Sequence, residues 1–378
     1  MVEKSLLAAF KTREWPAVRA SLGRPLAVYA ASRAVVLLTA LAAVSGSKLG
    51  LLRSLVSWDG AWYLTVTVFG YPSALVNPQG TVAGAPAFFP LYPLAIRLVA
   101  WLTGLTVVPA AVLVANIGGA AAVVLLRELT RRVVDAATAD RTVVLFSFFP
   151  GAVVLSMAYA EGLTLSLCLA CLLALQQRSW AAAGATGALA TLARPNAVAV
   201  CAACFWEAAR VIHSERSWQA LVAPLLAPAG FAVFMVFLWR RTGEPTAWFF
   251  VQRRAWLESL DFGVTTVRNA VSATLHPGAN LHFTLTAAAL VVTGVMLAAL
   301  LVWRPPGYLV VYALTLVGLT VASVTLGLRP RFLLTAFPLI MAAAHYVRGP
   351  LYVALVGLST GGLIALTVLY AASLGPVP

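Results

Sequence analysis

The chain has 378 residues, of which 61% are hydrophobic and only 10% are charged. A soluble domain of this length could not cover so much apolar surface with so little charge, so the composition excludes an ordinary water-soluble enzyme. The formal net charge of +14 comes from small basic groups spread between apolar runs. That distribution is typical of a membrane protein with basic cytoplasmic connectors, and we expect no nucleic-acid partner.

The apolar segments are continuous and rich in Ala, Leu and Val, which favours membrane-spanning helices over a β-barrel. Residues 88–104 are expected to lie in or re-enter the outer interface, because two prolines stand near the start and Arg97 near the middle. We predict one all-α polytopic domain over 1–378, with about 10–11 transmembrane helices. The segments lie near 27–46, 88–104, 107–126, 142–158, 162–176, 180–206, 219–238, 283–303, 307–327, 331–347 and 350–373.

Basic connectors set the predicted orientation, because positive loops stay in the cytoplasm. With the head 1–26, these cytoplasmic connectors are 127–141, 176–180, 207–218, 303–306 and 346–350. The extracytoplasmic side then receives a first loop with interfacial helices, a second large loop and three short breaks. These stretches are 47–106, 239–282, the turn at 159–161, the break at 194–196 and residues 326–331. Most of the unusual polar residues fall there, so we expect any chemistry on that side.

Two acidic residues stand against apolar segments on the predicted outer side. Asp59 is surrounded by Trp58, Trp62 and Tyr63, and Glu161 lies between two segments joined by almost no loop. A carboxylate in such a place is costly and is therefore a functional candidate. Two alternatives stay open: an aromatic belt around a solvated Asp59, and a carboxylate at Glu161 that merely favours a helix N-terminus.

Arginines stand at two proline-containing breaks on the same side. Arg194 precedes Pro195 within an apolar stretch, and Arg329 and Arg331 flank Pro330. A guanidinium at such a break is suited to binding a phosphate. The alternative is an arginine whose long side chain simply reaches the membrane interface.

The remaining polar residues predict no metal or cofactor. The four cysteines form two CxxC pairs, but each pair lies within an apolar run, which favours buried thiols over a zinc site. The four histidines lack metal-ligand spacing. The loop 239–282 either forms an amphipathic helix on the membrane or lines a groove for a lipid-linked substrate, and the residues do not separate the two. The cysteines are Cys168, Cys171, Cys201 and Cys204.

Five motifs in one order resemble the PIG-V-type mannosyltransferases, in particular bacterial members of that family within the GT-C glycosyltransferase superfamily. The motifs are SWDGAWY (57–63), FFPLYPL (88–94), SFFPGAVVLSMAYAEGL (147–163), LARPNA (192–197) and RPRFLLTAFPL (329–339). The resemblance covers about residues 20–345 and implies a GT-C fold with a large first outer loop.

The resemblance also implies an activity: inverting transfer of mannose from polyprenyl-phosphate-mannose to a lipid, glycan or protein acceptor outside a bacterial plasma membrane. Carried over, Asp59 would be the general base and Glu161 the second acid. The candidates for the donor phosphate would be Arg194, Arg331 and Arg329.

We expect five further residues to line the substrate site, namely Trp58, Trp62, Tyr63, Tyr159 and Asn196. The chain departs from the family at the SES-like triplet before the second acid, which is Tyr159-Ala160-Glu161 here. The alternative function is a transporter or flippase of a lipid-linked glycan. Charges inside the membrane at Arg33 and Arg194 would favour it, whereas no repeat of the two halves is evident.

Overall fold

The computed structural model describes residues 15–45, 50–276, 281–324 and 329–372. These ranges are helical, and within them only isolated β-bridges pair the chain, at Val76–Val82 and Leu260–Ser323. The α-helices are α1 Trp15–Val44, α2 Leu51–Ser54, α3 Asp59–Phe69, α4 Leu91–Thr103, α5 Val107–Val133, α6 Ala136–Ser147, α7 Glu161–Gln176, α8 Trp180–Ala193, α9 Val198–Glu215, α10 Val222–Leu226, α11 Ala229–Thr242, α12 Ala247–Arg254, α13 Val264–Leu275, α14 Leu281–Trp303, α15 Gly307–Ala322, α16 Pro330–Thr335, α17 Phe337–Tyr346 and α18 Gly349–Ala371. Short 3₁₀ turns lie at Ala85–Ala87, Pro150–Leu155, Pro195–Ala197 and Trp218–Leu221.

Five helical segments among the described residues are long and apolar enough to cross a membrane. They are Leu22–Val44, Val107–Val133, Pro195–Glu215, Trp218–Thr242 and Gly349–Ala371. Six shorter apolar helices of 10–17 residues accompany them. The prediction of an all-α polytopic membrane protein is therefore confirmed. How many of the shorter helices cross the membrane is not decided by their length, so the count of about 10–11 spans stays a prediction.

Several helix bounds differ from the predicted segments. Helix α1 begins at Trp15, within the predicted head 1–26, although residues 1–14 of that head lie outside the described ranges. Helix α4 has 13 residues, fewer than the roughly 20 needed to cross a bilayer, which is consistent with the interfacial placement expected for 88–104. Arg97 on α4 donates from Nε to the carbonyl of Thr67 at 2.6 Å, which ties α4 to α3.

Two segments expected to be continuous are broken in the structure. The predicted segment 142–158 leaves α6 after Ser147 and continues as the 3₁₀ turn that begins at Pro150, because proline lacks the N–H that a helix interior requires. The predicted segment 331–347 breaks at Ala336, just before Pro338 in the first turn of α17. The 3₁₀ turn then packs on α16, where a side chain at Gly151 would overlap the backbone of Pro330 and Arg331. The two breaks thus lie against each other and set the position of Arg331.

Helices α5 and α7 pack backbone to backbone through glycines. A Cβ atom added at Gly118 would lie 2.5 Å from the amide nitrogen of Leu163, and one at Gly162 would overlap the carbonyl oxygen of Ala115. Small residues permit such close helix approach in membrane proteins. Because Glu161 is the residue before Gly162, this contact fixes the start of α7 and the carboxylate that it carries.

We predict that Gly162→Ala lowers the free energy of unfolding by about 1–3 kcal/mol, since the methyl group must push two packed backbones apart. The matched control is Gly361→Ala in α18, where an added Cβ meets nothing within 4 Å. Alanine there is expected to be neutral or to stabilise the helix by up to about 1 kcal/mol. Thermal unfolding of both variants in one detergent checks this, and equal stability would contradict the close packing.

Arg33 is buried, and its hydrogen bonds connect α1 to the residues around the break after α6. Its guanidinium donates to the carbonyl oxygens of Ala152 at 2.6 Å and Ser147 at 3.1 Å. It also donates to the hydroxyls of Ser156 at 3.0 Å and Ser32 at 3.2 Å. These bonds satisfy carbonyl groups that the break leaves without helical partners.

Candidate active site

Four charged side chains from distant parts of the chain meet in one cluster, the charged quartet, formed by Asp59, Glu161, Arg194 and Arg331. Asp59 Oδ2 accepts a hydrogen bond from Arg331 Nη1 at 2.6 Å. Glu161 Oε1 forms an ion pair with Arg194 Nη1, and it lies 3.9 Å from Arg331 Nη1. Arg331 therefore stands between the two carboxylates and links the pairs into one network.

The quartet is buried to different degrees. The exposed fraction of the side chain is 1% for Glu161, 6% for Arg331, 10% for Arg194 and 12% for Asp59. The guanidinium of arginine stays protonated in proteins, and that of Arg331 contacts the Asp59 carboxylate and lies 3.9 Å from that of Glu161. Arg331 is therefore a permanent positive charge between two acids, and Asp59 is the more accessible acid.

Local backbone structure places both acids at helix N-termini. Asp59 and Glu161 are the first residues of α3 and α7, where the helix dipole favours negative charge. Trp58, before Asp59, has φ 61° and ψ −124°, a backbone conformation that is costly for a residue with a side chain. Such strain persists where the surroundings hold it and is concentrated at functional sites.

Tyr159 joins the two acid-bearing segments. Its hydroxyl accepts a hydrogen bond from the backbone N–H of Asp59 at 3.3 Å, and the N–H of Ala158 donates to the carbonyl of Leu55 at 2.8 Å. The Arg331 guanidinium lies 5.8 Å from the centre of the Tyr159 ring. The Tyr159 side chain is fully buried, and its hydrogen bond supports the backbone of Asp59. Tyr159 thus supplies a hydroxyl at the first position of the triplet in which the chain departs from the family.

Several buried polar atoms of the site have no hydrogen-bond partner within the described part of the chain. The donors are Arg194 Nε, Arg331 Nε and Trp58 Nε1. The acceptors are Glu161 Oε2 and Asn196 Oδ1, whereas Arg194 Nη1 and Glu161 Oε1 have each other as ion-pair partners. Buried polar groups are rarely left unpaired in proteins, so each of these atoms needs an explanation. The unpaired guanidinium N–H groups are suited to an anion with several oxygen atoms.

Two of the aromatic residues predicted to line the site, Trp62 and Tyr63, pack into a cluster on α3, the helix that begins at Asp59. Trp62 stacks on Phe88, with ring centres 6.0 Å apart, and meets the edge of Trp256 at 5.6 Å. Tyr63 is buried and packs edge-on against Phe88 and Tyr92. Trp62 is the more exposed of the two predicted lining residues, so it is better placed to contact a substrate.

Trp256 is a member of this cluster that no sequence motif indicated. It comes from the second large loop, and its Nε1 donates to the carbonyl of Gly84 at 3.2 Å. Gly84 also permits the close approach of Trp62, since a Cβ there would lie 2.7 Å from an atom of the Trp62 ring. The sequence contains no pattern that pairs residues so far apart; only an aromatic residue in a basic loop could have drawn attention to it.

Two further predicted site residues, Arg329 and Asn196, each lie two positions along the chain from an arginine of the quartet. Arg329 immediately precedes α16, and burial together with the charge of Arg331 lowers its pKa. Asn196 lines a cavity of about 10 Å³ with Thr164, Tyr312 and Thr335. A cavity of this size has room for about one water molecule, which would account for the unpaired Asn196 Oδ1.

The cysteines lie between α7 and α9, with Cys171 Sγ and Cys204 Sγ 3.7 Å apart and all four thiols free. Three of them are buried and Cys201 is half-buried. In the described ranges no group of three His, Cys, Asp or Glu side chains is arranged to hold a metal ion.

Solved structures of similar fold include ArnT from Cupriavidus metallidurans bound to undecaprenyl phosphate, with a TM-score of 0.53 and 14% identity over 86% of this chain. The match spans 61% of the ArnT chain, about three fifths of its length. An apo oligosaccharyltransferase from Archaeoglobus fulgidus matches 90% of this chain and 55% of its own, with 16% identity and a TM-score of 0.47. Proteins of curated function yield no sequence match.

The similarity to ArnT assigns the chain to the same class of helical membrane fold. Within that class, residues 27–237 match the model of the family described as mannosyltransferase (PIG-V). Because the match covers more than half of the chain, the chain belongs to the PIG-V mannosyltransferase family. The resemblance drawn from the five motifs is thereby confirmed.

Proposed function

We propose that this glycosyltransferase moves mannose from polyprenyl-phosphate-mannose to a hydroxyl group of an acceptor on the extracytoplasmic side of a bacterial plasma membrane. The transfer inverts the anomeric centre, and Asp59 is the general base. The observation that carries the proposal is the charged quartet. It brings the more accessible carboxylate, Asp59, into direct contact with Arg331, whose Nε is buried and has no hydrogen-bond partner in the described part of the chain.

The proposed step uses both charges. The acceptor oxygen attacks the anomeric carbon and gives its proton to the Asp59 carboxylate. The bond between that carbon and the phosphate oxygen breaks on the opposite face, and polyprenyl phosphate leaves with the electron pair. General-base catalysis of this kind is worth about 10²–10⁴ in rate. The negative charge that grows on the phosphate is stabilised by pre-positioned guanidinium groups in a water-poor site.

Unpaired guanidinium donors support a phosphate-linked donor. Arg194 Nε and Arg331 Nε are buried and have no hydrogen-bond partner among the described residues. The oxygen atoms of a phosphodiester would accept hydrogen bonds from such N–H groups, and buried polar groups rarely lack a partner. The ArnT structure of similar fold was solved with undecaprenyl phosphate bound, a lipid of the class proposed here for the donor.

The test is a transfer assay with the purified protein in nanodiscs, labelled polyprenyl-phosphate-mannose and an acceptor pool from membrane glycans. We expect label to enter the acceptor and the product to be the α-anomer from a β-linked donor, as inversion requires. The same lipid carrying glucose serves as the control for the sugar. Preferred transfer of glucose would contradict the donor, and retention of configuration would contradict the single displacement.

The rival function, transport of a lipid-linked glycan, depended on charges inside the membrane at Arg33 and Arg194. Arg33 donates four hydrogen bonds to neighbouring groups of the chain, and Arg194 belongs to the quartet. Neither residue then favours a transport path. Movement of labelled donor across proteoliposomes without transfer to any acceptor would nevertheless establish the transporter and overturn the proposal.

A further inference from the structure

We propose that Glu161 is a positioning residue, not a second acid–base catalyst: its carboxylate holds Arg194 and Arg331 in the orientation that receives the donor phosphate. This inference rests on the proposed function and deepens it. It assigns to the two acids of the quartet two different tasks, proton transfer at Asp59 and alignment of the guanidinium groups at Glu161.

The geometry separates the two carboxylates. Glu161 Oε1 is the atom shared between the two arginines, ion-paired with Arg194 Nη1 and 3.9 Å from Arg331 Nη1. Among the described residues the Asp59 carboxylate forms its ion pair with Arg331, through Oδ2. Removing Glu161 would therefore release one arginine fully and the other in part, whereas removing Asp59 leaves the Glu161–Arg194 pair in place.

The two carboxylates also differ in their exposure to solvent. The Glu161 side chain is 1% exposed, against 12% for Asp59. The packing of Gly162 against the backbone of α5 leaves the first turn of α7 no room to shift toward α5. A general base must come within hydrogen-bond reach of the acceptor hydroxyl. Asp59 can meet that requirement in the observed fold, whereas the Glu161 carboxylate is almost fully buried and paired with Arg194.

The arginine atoms that lack a partner support the proposed role of Glu161 in aligning the two guanidinium groups. Arg194 Nε and Arg331 Nε are buried and have no hydrogen-bond partners among the residues that the structure describes, although acids hold both guanidinium groups in place through their other atoms. An arginine held in this manner loses little further side-chain freedom when an oxyanion arrives, and such preorganisation increases affinity. Without Glu161, the Arg194 guanidinium would turn toward other acceptors, because a buried charge does not stay unpaired.

Binding of undecaprenyl phosphate to the purified protein in nanodiscs tests the inference without turnover. We expect Glu161→Gln to weaken this binding by about 10- to 100-fold, by analogy with outer residues that hold metal ligands. Glu161→Asp, which keeps the charge on a shorter side chain, should recover part of the loss. In the transfer assay the KM for the donor should rise more than kcat falls.

Glu207→Gln is the matched control. Glu207 is another buried glutamate paired with an arginine, at 2.5 Å from Arg210, but it lies nine residues into α9. Glu207 is therefore about 13 Å along the helix axis from the start of α9, the end of the helix that is nearest to Arg194 in the chain. Its loss should affect thermal stability and leave the binding of undecaprenyl phosphate unchanged.

Three results would overturn the inference. Tighter binding by Glu161→Gln would mean that Glu161 competes with the phosphate for the arginines. Unchanged binding with kcat lost at saturating donor, and an altered pH profile, would make Glu161 an acid–base catalyst. Unchanged binding and kinetics with lower stability would leave it a purely structural role. Failure of the wild-type protein to bind undecaprenyl phosphate is a different result, since it overturns the proposed donor itself.

Discussion

Asp59→Asn is expected to lower kcat for transfer by about 10²–10⁴, the contribution usually made by a general base. Asparagine has nearly the same shape but cannot take the acceptor proton. Because Glu161 still pairs with Arg194 and lies near Arg331, binding of undecaprenyl phosphate should change by no more than about the tenfold that corresponds to 1.4 kcal/mol. Single-turnover transfer in nanodiscs, beside the binding assay, measures both quantities.

Asp140→Asn provides the control for a lost aspartate–arginine pair. Asp140 accepts a hydrogen bond from Arg127 Nε at 2.8 Å, and its side chain is 17% exposed, close to the 12% of Asp59. It lies in α6, away from the quartet, so transfer should proceed at the wild-type rate. If Asp59→Asn also transferred at that rate, with its folding confirmed by thermal unfolding, Asp59 would have no part in the mechanism.

Arg331→Gln is expected to lower kcat by about 10²–10³, the usual loss when one group that stabilises a developing negative charge is removed. It should also destabilise the fold by about 3–5 kcal/mol, because the substitution leaves the Asp59 carboxylate buried without its counter-charge. Arg331→Lys should retain part of the activity, since lysine keeps the charge but not the planar set of donors.

The double variant Asp59→Asn/Arg331→Gln separates the two effects of Arg331. Removing both charges together leaves neither one unpaired, so we expect it to be more stable than Arg331→Gln alone while remaining inactive. Thermal unfolding of the wild type, both single variants and the double variant gives the coupling between the residues. Strictly additive losses of stability would show that the ion pair at 2.6 Å contributes no coupling in the folded protein.

Membrane residence, helical class and family could all be predicted from the order of residues along the chain. Continuous apolar runs require helices in lipid, whatever their tertiary partners. Asp59, Glu161, Arg194 and Arg331 could also be singled out, because a charge beside an apolar run is costly and therefore rare. The break at Arg194 was predictable because Pro195 cannot continue a helix with normal hydrogen bonding.

Tertiary structure alone decided how those charges pair. Arg331 meets Asp59 across 272 positions of sequence, and local patterns carry no information at that range. Arg33 could not be told apart from a functional charge until the carbonyl groups that it satisfies were placed around it. The burial that separates Glu161 from Asp59 likewise depends on the glycine contact between α7 and α5. The sequence by itself thus determines which costly charges the membrane must accommodate, and only packing determines which opposite charge compensates each of them.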